Sequence, residues 1–86
     1  MDSIKDFLNT RRAESPAEIF EGKALWEKFI VRFRFGDVVD YLAENGVIMR
    51  QSEVSQALEA MGARRMGNTE IVGRQVRPWA IAKDQC

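Results

Sequence analysis

The stretch Arg50-Gln51-Ser52-Glu53-Val54-Ser55-Gln56-Ala57-Leu58-Glu59-Ala60-Met61-Gly62, followed by Ala63-Arg64-Arg65 and then by Ile71-Val72-Gly73-Arg74-Gln75-Val76-Arg77-Pro78-Trp79, decides how this chain reads. Val54, Ala57, Leu58 and Met61 fall at i, i+3, i+4 and i+7, the spacing of one buried helix face, and Gly62 supplies the stop. The helix is predicted over residues 52–61, with Ser52, Glu53, Ser55, Gln56, Glu59 and Ala60 outward. Residues 64–81 then predict a two-stranded ribbon turning at Gly73-Arg74, where glycine at the first central position suits a type II′ turn. Pro78 cannot donate a ladder hydrogen bond, so the returning strand is expected to be an edge or to end there. A helix able to enter a DNA groove, beside a basic ribbon able to grip the flanking phosphates, is the plan of a winged helix-turn-helix.

Upstream, Val47-Ile48-Met49 is a short β-favouring run, placed to pair with such a wing. Asp37 can cap a helix over 37–45, with Val38, Val39 and Leu42 inward and Asn45-Gly46 as its left-handed stop. Ser15-Pro16-Ala17-Glu18 is a strong helix start, combining a capping serine, a proline at the first position and a glutamate that can reach back. Ile19, Trp26, Phe29, Ile30 and Phe33 recur as one apolar stripe, which predicts a helix over 16–32. Gly22 weakens it by about 1 kcal/mol relative to alanine and marks a kink or an earlier end. Val31-Arg32-Phe33-Arg34-Phe35 alternates strictly and fits a strand as well, but the helix reading is extended to about Arg32. Trp26, Phe29, Phe33 and Phe35 are spaced for burial rather than for a base-stacking platform, and Trp79 is expected to close the core between wing and helices rather than to stack on a base. Ser3 and Asp6, with Ile4, Phe7 and Leu8 on one face, predict a first helix over 3–10, with Arg11 and Arg12 at its negative end. The expected fold is therefore mainly α with a small β-hairpin, an α+β winged helix-turn-helix filling residues 1–86 as a single domain.

The composition removes most chemistry. With no histidine and one cysteine, Cys86, neither the usual zinc ligand sets nor a nucleophile/imidazole pair can be assembled. No phosphate loop, dinucleotide fingerprint or calcium loop is present, so the expectation is a non-enzyme without cofactor or metal. No run approaches the ~20 apolar residues of a membrane span, and Met1-Asp2-Ser3-Ile4-Lys5-Asp6 lacks a basic start with an apolar run, so a cytoplasmic setting without membrane partners is expected. The net charge is zero, but residues 1–49 carry −2 and residues 50–86 carry +2. Arg64, Arg65, Arg74, Arg77 and Lys83 face only Glu70 within residues 61–83, which gives DNA one basic side to meet.

On this reading Gln56 can bond an adenine edge, Ser52 and Ser55 can contact bases or phosphates, and Arg50 and Gln51 approach from the preceding turn. Arg64, Arg65, Arg74 and Arg77 would clamp the backbone as a wing. The competing function is a protein-interaction module, an adaptor or a phage-encoded inhibitor of a host factor, which suits near-neutral charge and the acids Glu53 and Glu59. A third arrangement would place the reading helix at residues 68–76, against which Gly67, Gly73 and Pro78 weigh.

The run over residues 51–65, then Gly73-Arg74-Gln75-Val76-Arg77-Pro78-Trp79, resembles the C-terminal domain of phage and plasmid primase-helicases of the poxvirus-type replicative helicase group. It is also similar to the tail of the virulence-associated protein E family. Ile4-Lys5-Asp6-Phe7-Leu8 and Leu25-Trp26-Glu27-Lys28-Phe29 fit the helices that precede the recognition helix there. The resemblance implies a winged-helix domain of phage or mobile-element DNA replication, recognising duplex or single-stranded DNA beside a helicase or other replication protein. Ser52, Ser55 and Gln56 would match its recognition surface, and Arg64, Arg65, Arg74 and Arg77 its wing. The chain departs from the pattern in having no helicase motor, in an apparent insertion at residues 33–48, and in its lower net charge.

Overall fold

In the computed structural model, which describes residues 2–86, the segment expected to be one long helix over 16–32 is a 3-10 helix followed by two strands. The elements run α1 (Asp2–Thr10), the 3-10 helix Pro16–Glu21, β1 (Leu25–Trp26), β2 (Ile30–Phe33), α2 (Phe35–Glu44), α3 (Gln51–Ala60), β3 (Arg64–Arg65), β4 (Thr69–Ile71), β5 (Arg74–Val76) and β6 (Trp79–Ala82). A last 3-10 turn covers Lys83–Gln85.

Of the start signal at Ser15 the glutamate half acts: the Glu18 carboxylate accepts the backbone N–H groups of Glu14 and Ser15 at 3.0 and 3.1 Å, while the Ser15 side chain makes no capping bond. The Lys23 ammonium, 2.7 Å from the same carboxyl group, holds it below its ordinary pKa and is itself raised in return. The helix stops at once, since Gly22 turns left-handed at φ 86°. Beyond it the alternation of Val31, Arg32, Phe33 and Arg34 prevails over the wider apolar stripe. Val31 and Phe33 are buried, while Arg32 faces the other way and pairs with Glu27.

Four strands form an antiparallel sheet in the order β1-β2-β6-β3. Phe33 lies opposite Trp79, which lies opposite Arg65, and Val31 lies opposite both Trp26 and Ile81. These residues share one face of the sheet, and the buried part of that face packs with Ile4, Phe7 and Leu8 of α1, Val38 and Leu42 of α2, and Val54 and Leu58 of α3. On the reverse face Leu25 joins Ile19, Ile71 and Val76 in a second, smaller cluster beneath the separate β4-β5 hairpin.

This topology corrects the winged helix-turn-helix expectation, and with it the description as mainly α with a small hairpin. Residues 64–81 do not form one ribbon: β3 and β6 belong to the main sheet, and β4-β5 pairs by itself between them. The reason is burial, because Trp79 and Ile81 can cover the helices only by lying beside Phe33 and Val31. Pro78 falls just before β6, where its missing N–H costs nothing, and its carbonyl accepts the Met66 N–H at 2.8 Å. Val47-Ile48-Met49 makes no strand, and Ile48 is 99% exposed. Residues 68–76 make no helix either. The helix expected over 37–45 starts two residues early, so that Asp37 sits inside its first turn and binds the Arg34 guanidinium at 2.7 and 3.2 Å instead of capping. Among the described residues no helix is long and apolar enough to cross a membrane.

The β4-β5 turn is centred on Val72 and Gly73, not on Gly73 and Arg74, and both residues have positive φ, 47° and 78°. That is the requirement of a type I′ turn, which favours asparagine before glycine and penalises a β-branched residue. Val72 is exposed and packs little. Val72→Asn is therefore expected to stabilise the fold by about 1 kcal/mol, seen as a higher urea midpoint; a lower midpoint would contradict the turn geometry.

Candidate functional site

The outward face of α3 looks onto the β3 edge of the sheet, and an open cleft of about 530 Å³ lies between them. It is lined by Gln51, Ser52, Ser55 and Gln56 from α3, Arg65 from β3, Phe35 from α2 and Trp79 from β6. The helix presents these side chains because Val54 and Leu58 occupy its core side. Successive first-turn residues are thereby left on the open side.

Arg65 is the best-defined cation of the cleft. It stands on the same face of the sheet as its register partner Trp79, with its guanidinium carbon 5.2 Å from the Trp79 ring centroid. Its Nη2 donates to Ser55 Oγ at 3.3 Å, which ties the strand to the helix across the cleft. Trp79 is only 5% exposed and stacks on Phe35, with centroids 5.7 Å apart and planes inclined by 27°. The indole therefore acts as a fixed base under the guanidinium. Such a planar cation over an aromatic ring keeps its outer N–H groups for an oxygen-rich ligand. Among the described residues Arg65 forms no ion pair with a carboxylate. The nearest acid in α3's first turn, Glu53, is turned back on the helix, its Oε1 accepting the Arg50 N–H at 2.9 Å.

Five of the nine residues singled out from the sequence, Gln51, Ser52, Ser55, Gln56 and Arg65, thus meet in one cleft. Arg50 is exposed at the start of α3, outside the cleft lining. Arg64, next to Arg65 on a strand, is also exposed and helps to line a shallow groove with Ile30, Met66, Ala80 and Ala82. Arg74 lies over the Phe20 ring at 4.0 Å, and the Arg77 Nε donates to Asn68 Oδ1 at 2.8 Å. No wing gathers the four arginines, because the strands that carry them belong to two different sheets or, for Arg77, to none. Phe35 and Trp79 read in the sequence as core residues in preference to a stacking surface; their role as the cleft floor follows from the pairing of β3 with β6, which only long-range register reveals.

Compared with protein-family models, with curated proteins and with solved structures, the chain matches none.

Proposed function

We propose that the protein is a non-catalytic DNA-binding domain that uses the α3 cleft as its contact surface. The observation that carries this reading is Arg65, held against Trp79 and Ser55 and unpaired with an acid among the described residues, in a cleft whose α3 wall is Gln51, Ser52, Ser55 and Gln56 and whose floor is Phe35 and Trp79. A phosphate meets the guanidinium and the Ser52 hydroxyl, while the Gln51 and Gln56 carboxamides present both donors and acceptors to a base edge. A place in phage or mobile-element replication, beside a helicase, belongs to the same proposal. It draws on the sequence resemblance and not on a winged-helix architecture.

The second reading is a protein partner, favoured by Ile48, whose side chain stands fully exposed in the loop leading into α3. Salt separates the two. With a labelled oligonucleotide, log K is expected to fall by about 2 to 4 units per decade of salt, as for the neutralisation of a few phosphates. Absence of detectable binding at about 50 mM salt would overturn the DNA reading and leave the protein partner.

A further inference from the structure

We infer that the loop joining β1 and β2 is a stacking platform for an unpaired base of a single-stranded nucleic acid, with Phe29 as the ring and Lys28 and Lys83 as its phosphate contacts. The inference rests on the nucleic-acid reading above and names the kind of strand.

Phe29 is 73% exposed, against the burial its spacing in the sequence suggests. Single exposed apolar residues are common and mean little alone, but this one is held in place. Its carbonyl accepts the Lys83 N–H at 2.9 Å, and the Glu27 N–H closes the loop onto the Ile30 carbonyl at 2.9 Å. The ring is therefore presented by a backbone bonded on both sides. Little backbone freedom remains to be lost when a base settles on the loop.

The surroundings are cationic. The Lys28 Nζ is 5.3 Å from the Phe29 ring centroid, and Lys28, Phe29, Ala82, Lys83 and Asp84 line an open groove of about 450 Å³. Lys83 also lies 5.7 Å from the Trp26 ring, over which Arg12 sits at 3.8 Å, so that Arg12, Lys28 and Lys83 border one end of the sheet. Glu27 of the loop is taken up by Arg32, and Asp84 is the carboxylate that lines the groove. An exposed aromatic ring among cations suits a strand whose bases are free to stack outward, whereas a duplex keeps its base faces covered. The platform continues β2 beyond Ile30, beside Lys83, while Arg65 on β3 lies opposite Trp79, further back along β6 and two strands across, about 16 Å away. One strand of several nucleotides can therefore touch both places.

The test uses fluorescence anisotropy of a labelled oligothymidylate of about 12 nucleotides and of a duplex of equal length, at one low salt concentration. Phe29→Ala and Phe29→Leu are expected to weaken single-strand binding about five- to a hundredfold, with Phe29→Trp retaining it and the duplex changing less than about twofold. Unchanged circular dichroism would confirm that each variant is folded. Indifference of single-strand binding to Phe29→Ala, equal losses for both nucleic acids, or full retention by Phe29→Leu would each overturn the platform while leaving the DNA reading in place. A wild-type protein that binds neither nucleic acid would overturn both. Phe29-dependent binding to phosphatidylserine vesicles without any to the oligonucleotide would assign the loop to a membrane surface and overturn the platform.

Discussion

Phe33→Ala is expected to cost about 3 to 5 kcal/mol. The ring is fully buried, meets Phe7 edge-on at 6.3 Å between centroids, and lies opposite Trp79 in the register of β2 and β6. Removing it leaves a void where sheet and helices meet, and the neighbours are fixed by strand pairing, so they close over it only in part. A domain of this size commands about 4 to 13 kcal/mol in all, so the variant is expected to be largely unfolded in mild urea. Phe29→Ala, the same substitution in the adjoining loop, is expected to cost less than about 0.5 kcal/mol because its ring is solvent-exposed. Paired urea titrations followed by circular dichroism read both, and equal costs would mean that the register of β2 is wrong.

Arg65→Ala is expected to weaken oligonucleotide binding about 10- to 100-fold, the scale of a lost charge-assisted contact. Arg65→Lys should recover part of it, since an ammonium keeps the charge but loses both the guanidinium contact over Trp79 and the forked donors. Arg74→Ala is the informative comparison. Its guanidinium lies over Phe20, on the side of the second apolar cluster, and the change in affinity is expected to stay within about threefold. Equal losses for Arg65→Ala and Arg74→Ala would show that overall positive charge, and not the α3 cleft, governs binding.

How far each part could be read in the sequence depends on the range of the interaction behind it. α1, α3 and the stops at Gly46 and Gly62 follow from apolar spacing and glycine conformation, both of which act within a few residues. The α3 side of the cleft follows from the same spacing, since placing Val54 and Leu58 inward turns Ser52 and Gln56 outward. The region around Gly22 misleads because Ile19, Trp26, Phe29, Ile30 and Phe33 satisfy a helical stripe by coincidence. Ile19 and Phe33 belong to different cores, and Phe29 to neither. Arg64 and Arg74 illustrate the remaining limit. Both sit in a basic segment that reads as one ribbon, yet Arg74 stays in the local β4-β5 hairpin while Arg64's strand pairs with β6, which is placed by burial of Trp79 and Ile81 against residues more than forty positions upstream.

The interior position of β6 carries a consequence for how the molecule assembles. Phe33 and Trp79 are separated by over half the chain, and β3 has no strand to join until β6 is in place. During synthesis the β1-β2 ribbon must wait, the hydrogen-bonding edge of β2 unpaired, until residues 79–82 have left the ribosome. The entropic cost of closing so long a loop comes before the contacts that repay it, which sets a slow, late and cooperative closure for the sheet. The helices can form early, but the cleft cannot be complete until β6 docks, because Trp79 of its floor and the strand that carries Arg65 are both set by that pairing.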